Sequence, residues 1–295
     1  MQRLPYAVIE LAMVALFLVS LWDAGRKGRG PVLELLSAVP FGLLLEQGDI
    51  MIFGSYAYNQ AFFLKIGLVP IAIALAWAMI IRSCMAISDA AGVPARLAPF
   101  SDALLAILLD LSFDTIAIRQ GLWHWQIRLD QGFFGVPAGN YYAWLFVALG
   151  FSAWTRLIRR WARTRPRLGW LQLIVPLPAY ATLLAGLVPF IALERIVFFG
   201  PGGGYPVFLA SLALFLALAG PSLLRGRRAI PPAFSLPLLP RLALHAYALI
   251  AGALLGIFLR APALLAVSLA MLGLELWLTG HFVSRAGAVR GRAVA

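Results

Sequence analysis

Cysteine is all but missing from this chain. Cys84 stands alone among 295 residues, which excludes an internal disulfide and any metal site built on several thiolates. Histidine is nearly as scarce: His124, His245 and His281 lie far apart with no HExxH spacing, so a histidine metal centre is not expected. A phosphate-binding loop is lacking too, because the glycine run Gly200-Pro201-Gly202-Gly203-Gly204 has neither a Walker lysine nor Rossmann spacing and reads as a flexible outer turn. Charge is thin, at 12% of residues, with 12 acidic side chains against 24 basic ones.

What fills the chain is apolar, 62% of it, and that composition places it among polytopic membrane proteins. Spanning a hydrocarbon core of roughly 30 Å takes about 20 residues. Apolar windows near 5–22, 31–46, 66–88, 97–118, 134–155, 170–193, 205–224, 242–259 and 262–280 supply nine candidates, of which 31–46 is the weakest. Arg260 and Ala261 alone separate the last two, so eight spans is the alternative. The expectation is an all-α transmembrane bundle of about eight or nine spans, one integral membrane domain over 1–295.

Basic residues favour cytoplasmic loops, which fixes the expected orientation. With nine spans and the N-terminus outside, 18 of the 24 basic residues fall on the inner side, among them Arg156, Arg159, Arg160, Arg163, Arg165, Arg167, Arg225, Arg227, Arg228 and Arg241. The stretches 156–169 and 225–241 are therefore expected as basic cytoplasmic loops, and the topology as N-out, C-in, multi-pass in the cell membrane. The net charge of +12 then serves orientation and contact with anionic lipid headgroups rather than nucleic acid. Only Arg3 precedes the first apolar run and no small-residue cleavage site follows it, so that span is expected to be retained.

A repeat is written into the first half. Gly54-x-Tyr56-x-Tyr58, Val69-Pro70 and Trp77 recur as Gly121-x-Trp123-x-Trp125, Val136-Pro137 and Trp144, each displaced by 67 residues. The offset marks two copies of a helix–outer loop–helix unit, about 40–80 and 107–147, running in the same sense. Acids precede the aromatics in both copies: Glu46 and Asp49 in the first, Asp110 and Asp114 in the second.

Asp110 and Asp114 are the most telling pair. Four residues apart, they leave one helix face, and each would cost about 2.5 to 3.5 kcal/mol at the centre of a membrane helix, so a function is the default reason for keeping them. A pseudo-twofold arrangement would bring both sets of acids to one cavity below an outer rim formed by Tyr56, Tyr58, Trp123 and Trp125. Glu194 and Arg195 close the sixth window, while Glu10 and Glu275 fall inside spans where other polar groups must meet them.

The run from Phe41 to Trp144 carries Glu46, Phe53-Gly54-x-Tyr56-x-Tyr58, Val69-Pro70, Trp77, Asp110-x3-Asp114, Gly121-x-Trp123-x-Trp125, Phe134-Gly135-Val136-Pro137, Asn140 and Trp144. This pattern resembles the carotenoid biosynthesis membrane protein family, whose best-understood members are carotenoid hydratases such as the bisanhydrobacterioruberin hydratases. Thr115 stands where that family tends to have proline, and Asn140-Tyr141-Tyr142-Ala143-Trp144 where it has Asn-Phe-Leu-Gly-Trp. The resemblance implies addition of water across a terminal double bond of an acyclic carotenoid, without a cofactor or metal. It points to Asp110, Asp114 and Glu46 as acid and base, and to Tyr56, Tyr58, Trp77, Trp123, Trp125, Asn140 and Trp144 as substrate-binding residues. Two other classes stay open: an intramembrane prenyltransferase using Asp110-x3-Asp114 and Glu46-x2-Asp49 to hold Mg²⁺, and a lipid or small-molecule transporter.

Overall fold

The computed structural model describes residues 4–196, 204–225 and 236–293. The glycine run expected as an outer turn, apart from Gly204, lies outside the described residues, as do Arg227 and Arg228 of the second basic loop. The chain is a helix bundle: α1 (Leu4–Lys27), α2 (Arg29–Ile52), α3 (Ile71–Ala90), α4 (Ala98–Gln120), α5 (Ala138–Thr164), α6 (Pro176–Ile196), α7 (Tyr205–Leu224), α8 (Leu239–Leu254), the short α9 (Ile257–Arg260) and α10 (Pro262–Ala293). A 3-10 helix, Pro166–Ile174, follows α5. Six of these helices, α1, α2, α3, α6, α7 and the first part of α10, are long and apolar enough to cross a membrane. Helix α8 is apolar but shorter.

The windows 31–46 and 242–259 change shape in the structure. The one expected to be weakest, 31–46, becomes the 24-residue α2, because the helix continues past the apolar run through Glu46, Gln47 and Asp49, whose side chains find partners inside the protein. The 242–259 window is interrupted: α8 stops at Leu254, Gly256 turns into the left-handed region at φ +64°, and α9 leads to α10. Arg241, expected in a cytoplasmic loop, is instead a fully buried residue of α8. Arg156 and Arg159 of the first basic stretch likewise belong to α5, where they pair with Asp89, Asp102 and Glu34.

The repeat is visible in the backbone. Strand β1 (Tyr56–Tyr58) pairs antiparallel with β4 (Trp123–Trp125), Ala57 opposite His124, so the matched triplets of the two copies lie against each other about a local twofold axis. The tight hairpin of β2 (Lys65–Ile66) and β3 (Val69–Pro70), which bridges Ile66 to Val69, recurs as the bridge Phe133–Val136. Pro70 and Pro137, both extended, occupy the residue just before α3 and α5, and their fixed φ turns the chain from hairpin into helix.

Left-handed residues also fall at matched places. Gly54 and Gly121 have φ +58° and +80°, and Gly67 and Phe134 have φ +61° and +52°. At Gly121 the chain leaves α4 through paired bonds, Leu122 N to Ala117 O at 3.0 Å and Gly121 N to Ile118 O at 3.1 Å, the Schellman arrangement that needs a left-handed residue. Gly121→Ala is therefore expected to lower stability by about 1–2 kcal/mol, read as an earlier thermal unfolding midpoint in detergent.

Helix α4 is the centre of the bundle. Its buried residues run from Ala98 to Ile118 around all sides, including Asp102, Asp110 and Asp114. Because the helix is enclosed, its three aspartates find their partners on neighbouring elements. Large apolar residues of the peripheral helices, among them Leu11, Leu177, Val188 and Leu254, stay exposed, as a lipid-facing belt requires. Helix α1 holds the two loops at the ribbon end: Glu10 accepts from Phe63 N (3.1 Å) and Leu64 N (2.8 Å), and Tyr6 donates to Gly121 O (3.0 Å).

Candidate active site

A cavity of about 290 Å³ lies on the pseudo-twofold axis beneath the ribbon, and it gathers residues from both copies. Helix α3 contributes Ile73, Ala76, Trp77 and Ile80, and α5 contributes Asn140, Ala143, Trp144 and Val147. These are matched positions in the repeat, and the i, i+3, i+4, i+7 spacing sets them on one helix face each. Trp77 and Trp144 meet across the axis with ring centroids 4.2 Å apart. At the ribbon end Tyr56 packs on Trp125 (4.7 Å) and Tyr58 on Trp123 (5.9 Å), again a symmetric pair of contacts.

All ten site residues anticipated from the sequence line this cavity: Glu46, Asp110, Asp114, Tyr56, Tyr58, Trp77, Trp123, Trp125, Asn140 and Trp144. The two tyrosines are buried, not an exposed rim. His124 points away from the cavity and is exposed. The acids break the symmetry. The repeat partner of Glu46 is Phe113, and the partner of Asp114 is Gln47, which accepts from Leu68 N at 2.8 Å and so secures the first hairpin.

The carboxyl groups are held by specific donors. Glu46 Oε2 accepts from Tyr58 Oη at 2.5 Å and from the Tyr56 hydroxyl, and its Oε1 accepts from Trp77 Nε1 at 2.6 Å. Asp114 Oδ1 accepts from Trp123 Nε1 at 2.7 Å. Asn140 Nδ2 donates to both aspartates of the pair, 2.9 Å to Asp110 Oδ2 and 2.8 Å to Asp114 Oδ2. Nearer the ribbon, Ser55 Oγ donates to Asp49 Oδ2 at 3.1 Å, and both residues belong to the lining. The buried Trp125 indole N–H has no hydrogen-bond partner within 3.5 Å among the described residues.

Sequence reasoning missed one wall. Helix α6 supplies Leu183, Leu187, Phe190, Ile191 and Glu194, and α8 supplies Leu244. The α6 residues form a stripe at helical spacing, but nothing in an otherwise apolar helix sets that stripe apart from the lipid-facing one. Asp102 was also missed as a buried acid; it serves the bundle rather than the cavity. Among the described residues, no group of three His, Cys, Asp or Glu side chains is placed to hold a metal ion. The chemistry this arrangement offers is proton transfer and π-face stabilisation of positive charge in a mostly apolar chamber.

A family model for carotenoid biosynthesis proteins matches residues 5–217. The chain belongs to the carotenoid biosynthesis protein family. No curated protein and no solved structure matches it. Family membership carries a role in carotenoid biosynthesis, and the matched segment is wider than the Phe41–Trp144 run on which the resemblance rests. It takes in both repeats and the α6 wall, and every cavity-lining residue except Leu244. Helices α8, α9 and α10 lie beyond it.

Proposed function

We propose that this carotenoid biosynthesis protein is a hydratase. It adds water across a terminal C=C bond of an acyclic carotenoid, using cavity carboxyls as acid and base and no cofactor, in a cell-membrane bundle inserted N-out and C-in. The observation that carries the proposal is the convergence of Glu46, Asp110 and Asp114 in one apolar cavity walled by the rings of Tyr56, Tyr58, Trp123 and Trp125. Hydration of a terminal isoprene unit passes through a tertiary carbocation. It needs a carboxylic acid to start it, electron-rich faces to stabilise the cation and a polar group to receive the proton of the attacking water.

The size of the chamber supports chemistry at a chain end. At about 290 Å³ it lies just below the range of small-molecule sites, roughly 300–1,000 Å³, so it takes the tip of a long polyene while the remainder lies among apolar helix surfaces or in lipid. The hydrogen bonding suits a metal poorly. Both oxygens of Glu46 already accept from hydroxyl and indole donors, where a hard cation would require them as ligands.

Purified protein in detergent is expected to convert an acyclic carotenoid to a hydroxylated product without added metal or nucleotide, and oxygen from isotopically labelled water should appear in that product. Turnover that depends on Mg²⁺ and a prenyl diphosphate would move the protein to the prenyltransferases. Binding without turnover would make it a carrier.

A further inference from the structure

Five carboxyl groups line the cavity; Asp49 and Glu194 are only partly buried, and the three buried ones, Glu46, Asp110 and Asp114, are separated by their hydrogen bonds. A carboxyl group that is to hand over a proton needs one oxygen facing the substrate and unclaimed by donors. Glu46 has none: Oε1 is taken by the Trp77 indole, and Oε2 by the Tyr58 and Tyr56 hydroxyls. Asp114 has none either, with Oδ1 on Trp123 and Oδ2 on Asn140. Asp110 uses Oδ2 for Asn140, while its Oδ1 accepts no hydrogen bond among the described residues, and its side chain reaches the cavity.

The partners of the two saturated acids have something in common. Tyr56 and Trp123 are matched positions of the repeat, one on each strand of the ribbon, and each donates to a carboxylate of the helix just before it. Glu46 joins α2 to β1 and, through Trp77, to α3. Asp114 joins α4 to β4 and, through Asn140, to α5. Although they are not repeat partners themselves, the two acids perform equivalent tethering of the aromatic roof.

Resting on the hydration reading, we infer that Asp110 is the proton donor of the reaction and that Glu46 and Asp114 are positioning residues that fix the ribbon over the substrate. The Asp110 proton passes to the less substituted alkene carbon, the π pair forms the new C–H bond, and the tertiary carbon becomes cationic beneath the rings. A water oxygen bonds to that carbon. The proton it sheds returns to the Asp110 carboxylate, so one water is added and the acid is restored without an outside oxidant or reductant. Asn140, which touches both aspartates, keeps the Asp110 side chain oriented with its Oδ1 toward the cavity.

The test compares three isosteric changes in detergent-purified protein, with carotenoid binding followed by the visible absorption shift and turnover by chromatography of the product. Asp110→Asn is expected to keep substrate binding and lose about 10²–10⁴-fold in kcat, the range a general acid contributes. Asp110→Glu should recover part of that loss. Glu46→Gln and Asp114→Asn should lower kcat by less than about tenfold while raising KM, because a loosened roof weakens binding without removing the proton donor. Turnover by Asp110→Asn within tenfold of the parent, or a Glu46→Gln protein that binds substrate yet is as inactive as Asp110→Asn, overturns the assignment. If the parent protein binds an acyclic carotenoid and never hydrates it, the hydration reading itself falls, a result distinguishable from either of those.

Discussion

Glu275→Leu should lower the stability of the bundle by about 3–5 kcal/mol, the effect of stranding one charge of a buried ion pair. Arg241, fully buried, donates to Glu275 through Nε at 2.7 Å and Nη2 at 2.6 Å, a two-point contact. Its remaining donors reach Leu105 O at 2.7 Å and Cys84 Sγ at 3.1 Å, so one guanidinium links α3, α4, α8 and α10. His245 Nε2 stands 3.8 Å from Glu275 Oε2. Without Glu275 the guanidinium retains only a carbonyl and a thiol, too little to balance its charge away from water. The double replacement Arg241→Met, Glu275→Leu is expected to regain most of the loss, since well-packed apolar residues replace buried pairs at little cost. Thermal unfolding in detergent reads both. A Glu275→Leu protein as stable as the parent would show that the pair contributes nothing.

Asp102→Leu is expected to cost a comparable amount, about 3–5 kcal/mol, at the end of the bundle opposite the ribbon. Asp102 accepts from Ser88 Oγ and Ser152 Oγ, each at 2.5 Å, and from Arg156 Nη2 at 3.0 Å, joining α3, α4 and α5. Arg156 keeps a second carboxylate, Asp89, so the arginine is not wholly abandoned, but the two serine hydroxyls lose their shared acceptor. Asp102→Asn, which preserves an acceptor, should lose only about 1–3 kcal/mol. Turnover is expected to suffer along with stability in the leucine variant. Helix α4 carries Asp110 and Asp114, and α5 carries the Asn140 that holds them, so any slip between these helices disturbs the bridge. Equal melting curves for the aspartate, asparagine and leucine forms would refute this account.

Much of the site could be read before any coordinates. The offset of 67 residues located both modules, and the two aromatic triplets, the Val-Pro steps and the paired tryptophans all proved to be structurally equivalent. The buried acids identified themselves by the cost each would carry inside a spanning helix. What the offset could not reveal is that β1 and β4 pair with each other, because a repeat gives equivalence and not the axis relating the copies. It also suggested equivalent acids, whereas the partners of Glu46 and Asp114 are Phe113 and Gln47. The polar groups of the cavity are thus an asymmetric addition to a symmetric frame.

The pairings that hold the bundle were less legible. Arg241 looked like an orienting loop cation because it lies at the edge of an apolar window, and Glu275 had no visible partner 34 residues away. Only the packing of α8 against α10 places them together, and only enclosure makes the pair costly to break.

From the residues alone came the membrane class, the duplicated module and the acids that need an explanation, since each depends on local composition and on a spacing that survives any packing. Tertiary structure alone settled which apolar face looks inward, which acid keeps a free oxygen and which cations are buried. Lipid tails and a protein interior are equally apolar, so hydrophobic periodicity in a spanning helix does not distinguish them, and the choice falls to packing and hydrogen bonding between helices.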